Sequence, residues 1–279
     1  MQIKETIKKN GFCFKKNLGQ NFIEDDVILS KIADSADICG YDDVLEIGTG
    51  AGTLTKAVAA RARKVVSYEI DKNLRPVLSE TLKGVDNAEV VFKDFMRADM
   101  SEVEKDFDKE YIVVANLPYY ITSPIVMKLL EEGKKVKRIV VTVQKEVADR
   151  FCAAEGSSEY GAITVAINAL GYAKTAMLIP RENFYPAPNV DSAVVRIDVD
   201  RNKFTDTDYN ALRDTVRAAF SSRRKTLANN LMITFGLSRE KAESILRSVD
   251  IDTGVRGEKL GVNSFLDLSA ALKKDGIIK

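Results

Sequence analysis

The chain has 279 residues, 45% hydrophobic and 30% charged, enough for one large or two modest domains with real cores. It holds no histidine, which removes the commonest general base and metal ligand and every Ser-His-Asp or Cys-His arrangement, so no metal is expected. Net charge is +1, yet residues 1–17 carry +4 and residues 201–279 carry +5, leaving −8 between them. That pattern suits a polyanion gripped by the two ends, or equally a scatter of solvated charge. Cys13, Cys39 and Cys152 form no CxxC pair and read as reduced thiols. The lysine-rich arm "MQIKETIKKNGFCFKKN" lacks an apolar core like that of a secretory signal, and no apolar run approaches the ~20 residues that span a bilayer. A cytoplasmic location with no membrane partner is the expectation.

From residue 42 short β-branched runs alternate with amphipathic stretches. "DVLEIG" predicts a strand, "TLTKAVAARA" a helix, "KVVSYEI" a strand, "RPVLSETLK" a helix and "AEVVFKD" a strand. "YIVVAN", "SPIVMKLLEE", "KRIVVTVQ" and "EVADRFCA" continue as strand, helix, strand and helix. Repeated βα units imply an α/β fold, a mostly parallel sheet covered on both faces. "AKTAMLI" and "NVDSAVVRIDV" have no long helix between them and predict an antiparallel hairpin at one edge. Beyond about residue 200 the text turns helical: "TDTDYNALRDTVRAAFSSRRKTLANNLMITFGL", "SREKAESILRSV" and "NSFLDLSAALKKD". The expected division is therefore residues 1–200 as an α/β domain with a basic N-terminal arm, and 201–279 as a small all-helical domain.

"VLEIGTGAGTLT" sets Gly48, Gly50 and Gly52 between the first strand and the first helix, where a ligand can approach the backbone. A dinucleotide fingerprint would need a third glycine where Thr53 stands, and Glu46 just before the loop would repel a pyrophosphate while suiting a cationic ligand. E-x-G-x-G-x-G resembles the first motif of class I (Rossmann-like) methyltransferases, whose S-adenosyl-L-methionine carries a sulfonium and no phosphate. Glu69 ends the second strand and can accept from both ribose hydroxyls; Asp94 ends the third, at the place such enzymes use for the adenine amine.

"NLPYY" follows the fourth strand. An exocyclic amine on a base is a poor nucleophile because its lone pair is delocalised into the ring. Acceptors on both of its N–H bonds would localise that pair. The Asn116 side-chain carbonyl and the Leu117 backbone carbonyl could be those acceptors, with Pro118 stiffening the turn and Tyr119 offering a stacking face. The stretch resembles the (N/D)-(P/I/L)-P-(Y/F) motif of methyltransferases that act on base amines.

"KKNLGQNF", "EIGTGAG", "NLPYYITSP", "QKEVADRF", "YGAITV", "FYPAPNVDSAVVRI" and "FSSRRKTLANNL", in this order, resemble the KsgA-type small-subunit rRNA adenine dimethyltransferases from about residue 10 onward. The resemblance implies dimethylation at N6 of two adjacent adenosines in a hairpin loop near the 3′ end of 16S rRNA, within 30S or pre-30S particles. By position it implies Asn21 and the Ile23 backbone as cofactor contacts, joining Gly48, Glu69, Asp94 and Asn116. The family usually has Leu where this chain has Ile23. It also implies that Phe184 sandwiches the target adenine opposite Tyr119. Arg213, Arg217 and Arg224 would share one helix face if the helix runs through 224; with Arg223 and Lys225 they form the expected phosphate-tracking ridge.

The Erm-type enzymes of 23S rRNA share the catalytic motifs and are the nearest rival. A DNA methyltransferase would usually carry a larger recognition domain, so DNA is not expected as substrate. A non-catalytic ribosome-assembly factor would be expected to lose Glu69, Asp94, Asn116 or Tyr119, all of which are present. Nothing in the sequence demands more than a monomer.

Overall fold

A computed structural model describes residues 3–15, 19–203 and 208–279. The chain divides into two compact units, one of residues 1–148 with 173–199, the other of residues 149–172 with 200–279.

The first unit is built on strands β1 (Phe22–Ile23), β2 (Asp43–Ile47), β3 (Lys64–Tyr68), β4 (Ala88–Val91), β5 (Tyr111–Asn116), β6 (Val136–Gln144), β7 (Gly171–Ile179), β8 (Phe184–Tyr185) and β9 (Ser192–Val199). Seven of them form one sheet in the order β4-β3-β2-β5-β6-β9-β7. The pairs β2–β3, β2–β5, β3–β4 and β5–β6 are parallel, and β6–β9 is antiparallel. As the sequence predicts, β7 and β9 are neighbours at one edge. Arg138 fastens that edge, its Nε donating to Asp198 Oδ1 at 2.6 Å across the β6–β9 ladder and its Nη1 to the Ala36 carbonyl at 2.7 Å.

All five residues of β2 are buried, the composition of a strand covered on both faces. The helices of this unit are α1 (Ile3–Lys9), α2 (Asp26–Ser35), α3 (Thr53–Ala59), α4 (Arg75–Thr81), α5 (Met100–Val103) and α6 (Tyr119–Glu132). On one face Leu29 and Ile32 of α2 and Leu54 and Val58 of α3 pack on Val44, Val65, Ile112 and Val114. Ile125, Val126, Leu129 and Leu130 are the buried stripe of α6. That helix begins four residues before the predicted start: Pro118 caps it and Pro124 lies inside it. The sequence assigns nothing before residue 42, so α1, α2 and the two-stranded β1–β8 ribbon are additions; Asp25 caps α2 by accepting from the N–H groups of Val27 and Ile28. Lys16, in the expected basic arm, and residues 205–207, in the expected helical run, lie outside the described residues.

Strand order reverses between β2 and its neighbours β3 and β5. In an open parallel sheet that switch point leaves a crevice beyond the carboxyl ends of the strands.

The second unit is helical: α8 (Ala162–Leu170), α9 (Tyr209–Ala219), α10 (Leu227–Phe235), α11 (Arg239–Ser248) and α12 (Val262–Lys274), with α7 (Lys145–Phe151) at the chain's passage between units. Its core joins Tyr160, Val165 and Ala169 to Leu212, Val216, Leu231, Leu246, Phe265 and Leu268. The segment 149–172, on the α/β side of the boundary expected from sequence, packs in this unit because the α8 apolar stripe finds its cover there. α9 stops at Ala219, so the condition for Arg213, Arg217 and Arg224 to share one helix face, a helix running through 224, is not met. The buried Asn230 explains the stop: its Nδ2 donates to the carbonyls of Ala219 (2.7 Å) and Ser222 (3.0 Å), and its Oδ1 lies 3.2 Å from Ser221 Oγ.

Candidate active site

The crevice at the switch point is a cleft of about 980 Å³, its open mouth included, lined by the glycine loop, Glu69, Asp94 and Asn116 together with Gln20 to Ile23. Four parallel strand ends thus deliver what the sequence places there.

The glycine loop needs its glycines. Gly48 and Gly50 hold φ of +82° and +54°, and a Cβ on Gly50 would stand 3.0 Å from the Phe22 ring. The N–H groups of Gly48 and Thr49 donate to the Tyr68 carbonyl at 2.8 and 3.2 Å, tying the loop to the end of β3. The next residue there, Glu69, is 6% exposed. Each of its oxygens accepts one backbone N–H, Oε2 from Gly50 at 2.8 Å and Oε1 from Asp71 at 2.7 Å. Burial raises its pKa, and those two hydrogen bonds oppose the rise. A carboxylate with one bond per oxygen keeps acceptor capacity for a pair of vicinal hydroxyls. The residues therefore fit the ribose of S-adenosylmethionine.

Glu46 stands elsewhere. It is fully buried beneath the loop and does not line the cleft; its Oε2 accepts from Thr55 Oγ1 and Ser67 Oγ, both at 2.6 Å. Its Oε1 has no hydrogen-bond partner among the described residues. Burial pushes its pKa up to about 7, against the hydrogen bonds of Ser67 and Thr55 and with a small push from Glu69. A half-neutral carboxyl turned into the core is a weaker attraction for a cation than the sequence suggests.

Asp94 caps a short 3₁₀ turn, its Oδ1 accepting from Met96 N–H at 3.0 Å, and remains at the cleft wall. Asn116 ends β5 with its Nδ2 donating to the Asn21 carbonyl at 3.1 Å. An amide whose NH₂ is so engaged must turn its Oδ1 the other way, as an acceptor. Ile121 N–H and Thr122 Oγ1 both donate to the Pro118 carbonyl, which pins the turn. Thr53, read from sequence as a missing glycine, donates its Oγ1 to the Ile23 carbonyl at 3.0 Å and so holds the N-terminal wall against the loop.

Two of the aromatic positions singled out in the sequence do not line this cleft. Tyr119 is half-buried, its hydroxyl 2.8 Å from Ser192 Oγ, and the cleft is lined instead by Tyr120, which is 64% exposed. Phe184 is 5% exposed and packs in the core beside Ile23, to which it is paired in the β1–β8 ribbon. Its burial gives it the place of an anchor beneath the N-terminal wall. Asp71, Lys15 and Gln20, which meet behind that wall, went unremarked in the sequence; the acid two residues after Glu69 was the visible signal.

In the helical unit the five basic residues do not form one ridge. Arg213 and Arg217 sit on α9, Arg213 with its Nε 3.3 Å from Asp214 Oδ1 and Arg217 exposed. Arg223, Arg224 and Lys225 fall in the turn after α9. Arg223 spends its Nη2 on the carbonyls of Ser158 and Tyr160, both at 2.8 Å, while Arg224 and Lys225 are exposed.

Among the described residues no helix is long and apolar enough to cross a membrane. The family description "Ribosomal RNA adenine dimethylase" matches residues 11–274. The ribosomal RNA small subunit methyltransferase A of Bacillus pumilus is 45% identical over 281 residues, covering 98% of this chain and 96% of the relative. That of Geobacillus thermodenitrificans is 45% identical over 276 residues, covering 96% and 94%. Among solved structures, a dimethyladenosine transferase from Plasmodium falciparum superposes with a TM-score of 0.79 at 27% identity, covering 92% of this chain and 99% of that one. The 23S rRNA methyltransferase ErmE gives 0.66 at 28%, covering 90% and 99%. A match that spans both units, over a cleft whose glycine loop, buried Glu69 and oriented Asn116 suit an adenosine-based methyl donor, decides the assignment: the chain belongs to the ribosomal RNA adenine dimethylase family.

Proposed function

We propose that this chain dimethylates N6 of two adjacent adenosines in the hairpin loop near the 3′ end of 16S rRNA, acting as a monomer on small-subunit particles during their assembly in the cytoplasm. S-adenosylmethionine is the methyl donor and supplies an electrophilic methyl group on a sulfonium. Glu69 accepts from its ribose, Asp94 from its adenine amine, and the backbone of the glycine loop and of Asn21 to Ile23 forms the walls. Asn116 Oδ1 and the Leu117 carbonyl accept from the two N–H bonds of the target amine and draw its lone pair out of conjugation. The methylated amine gives its proton to water, so a chain without histidine lacks nothing it needs. Arg213, Arg217, Arg224 and Lys225 are the phosphate contacts of the helical unit.

One observation carries this reading: the Asn116 amide is held by the Asn21 carbonyl so that its oxygen is left as an acceptor at the end of β5. Support for the small subunit as substrate comes from relatives named for it at 45% identity over nearly the whole chain. The likeness to ErmE makes 23S rRNA the reading to test against.

The experiment is transfer of tritiated methyl groups to 30S particles lacking the two dimethyladenosines, with unmodified 50S particles in parallel. Incorporation approaching four methyls per 30S particle is expected from the chemistry of two dimethylated amines. Asn116→Ala should lower the rate by about 100-fold or more, the loss typical of a missing transition-state hydrogen-bond partner. Label confined to 23S rRNA would assign the other substrate. Tight 30S binding with no incorporation would leave an assembly factor.

A further inference from the structure

Asp71 lies two residues beyond Glu69 and is 3% exposed, deep for a carboxylate that the methyl-transfer chemistry does not use. Its Oδ1 accepts from Lys15 Nζ at 2.8 Å and from Asn73 N–H at 3.1 Å, and its Oδ2 from Gln20 Nε2 at 3.1 Å. Gln20 is bound a second time, its Oε1 accepting from Lys15 N–H at 3.1 Å. Burial alone would raise the carboxyl's pKa; the hydrogen bonds of Lys15, Asn73 and Gln20 outweigh it and hold the group below the usual carboxylate range. The same residue's backbone N–H donates to Glu69 Oε1. Asp71 therefore touches both sides of the cleft's construction, turning the Glu69 carboxylate with its backbone and holding Gln20, the start of the wall that runs to Ile23, with its side chain.

We propose that Asp71 is a positioning residue for the methyl donor, fixing the Gln20–Ile23 wall and the ribose acceptor Glu69 in one register through its bonds to Lys15, Gln20 and the Glu69 carboxylate. The inference rests on the reading of the cleft as the S-adenosylmethionine site. The alternative is a bracket that merely stiffens the fold. Stability alone cannot separate the two, because removing a partner from a buried charge destabilises in either case. Affinity for the donor can: a bound donor contacts wall and acceptor at once, so loosening their register raises Kd and KM more than it lowers the rate once the donor saturates.

The test uses the full chain and S-adenosylhomocysteine. Its Kd is measured by calorimetry for the wild type, Asp71→Asn, Gln20→Ala, Lys15→Met and Lys15→Arg. Methyl transfer to 30S particles gives the KM for the donor and kcat. Gln20→Ala and Lys15→Met alter the wall side of the contact, away from the sheet, so they carry the test even if Asp71→Asn fails to fold. Gln20→Ala and Lys15→Met should each weaken binding by about tenfold, the loss expected of one charge-assisted hydrogen bond. KM should rise in step, kcat should fall less than KM rises, and Lys15→Arg should restore most of the affinity. Wild-type binding with unchanged Kd in Gln20→Ala and Lys15→Met overturns the positioning role and leaves the cofactor reading intact. Absence of binding by the wild type overturns both.

Discussion

Glu46 shows how a residue can sit in a motif and do something other than the motif suggests. Its carboxyl titrates near 7 when folded and near 4.5 when not, because burial penalises its charge. Between those values the folded chain holds a proton that the unfolded chain has released, so this group's contribution to stability falls as pH rises from about 4.5 to about 7 and stays low above. The size is at most about 3 kcal/mol for a shift of this span. Glu46→Gln keeps the shape and removes the titration, so the difference in Tm between pH 6 and pH 8 should shrink in the variant; an unchanged difference would mean that Glu46 titrates as an ordinary carboxyl. Gly50→Ala acts on the same turn by another route. A Cβ at φ +54° costs about 1–2 kcal/mol and must displace the Phe22 ring, so both Tm and donor affinity should drop, read by thermal unfolding and calorimetry. Glu69, Asp94 and Asn116 were legible in the sequence because each ends a strand of recognisable pattern. Asp71 was not, since its partners lie 51 and 56 residues away along the chain. Phe184 is placed by the family resemblance and Tyr119 by its aromatic face beside Asn116, and neither the core cluster around one nor the Ser192 bond of the other leaves a local trace.

The elements were easiest to read where hydrophobic period and boundary residues agree. The βα units from β2 to α7 announce themselves that way, except that the short α5 after β4 goes unassigned in the sequence. The α8 segment "AITVAINAL" is apolar almost throughout, short and rich in β-branched residues, a composition that a buried strand shares, so its type is ambiguous in the sequence. The end of α9 is hidden for a different reason: "RAAFSSRRKTLANN" keeps helical spacing, and what stops the helix is the amide of Asn230 reaching back from the next one. This break sorts the arginines. Arg223 ties the turn to the Ser158 and Tyr160 carbonyls, and Arg217 stands exposed on the last turn of α9. Arg223→Ala should therefore lower stability by about 1–2 kcal/mol in thermal or urea unfolding. Arg217→Ala should leave Tm in place and weaken binding to 30S particles, with the slope of log K against log salt reduced by about one. The reverse assignment of effects would put Arg223 in the RNA interface.

At the scale of the whole chain, the sequence shows the change from α/β to helical text near residue 200, and a designer would cut there. The packing argues against that cut. Tyr160, Val165 and Ala169 precede it, yet they share one core with Leu212, Val216, Leu246, Phe265 and Leu268 beyond it. Removing residues 201–279 strips the cover from α8, and Lys203, whose ammonium donates to the carbonyls of Asn168 and Gly171 at the end of that helix, goes with it. The stripe left bare, Val165, Ile167, Ala169 and Leu170, is apolar, and an exposed patch of that kind drives association. A chain ending at residue 200 is therefore expected to bind a hydrophobic dye strongly and to sediment as aggregates, even though every residue of the cofactor cleft is retained. The full-length chain should do neither. Should the truncated chain stay monomeric, dye-free and able to bind S-adenosylhomocysteine with wild-type affinity, α8 would be a passenger on the α/β unit, and the boundary written in the composition of the sequence would be the physical one.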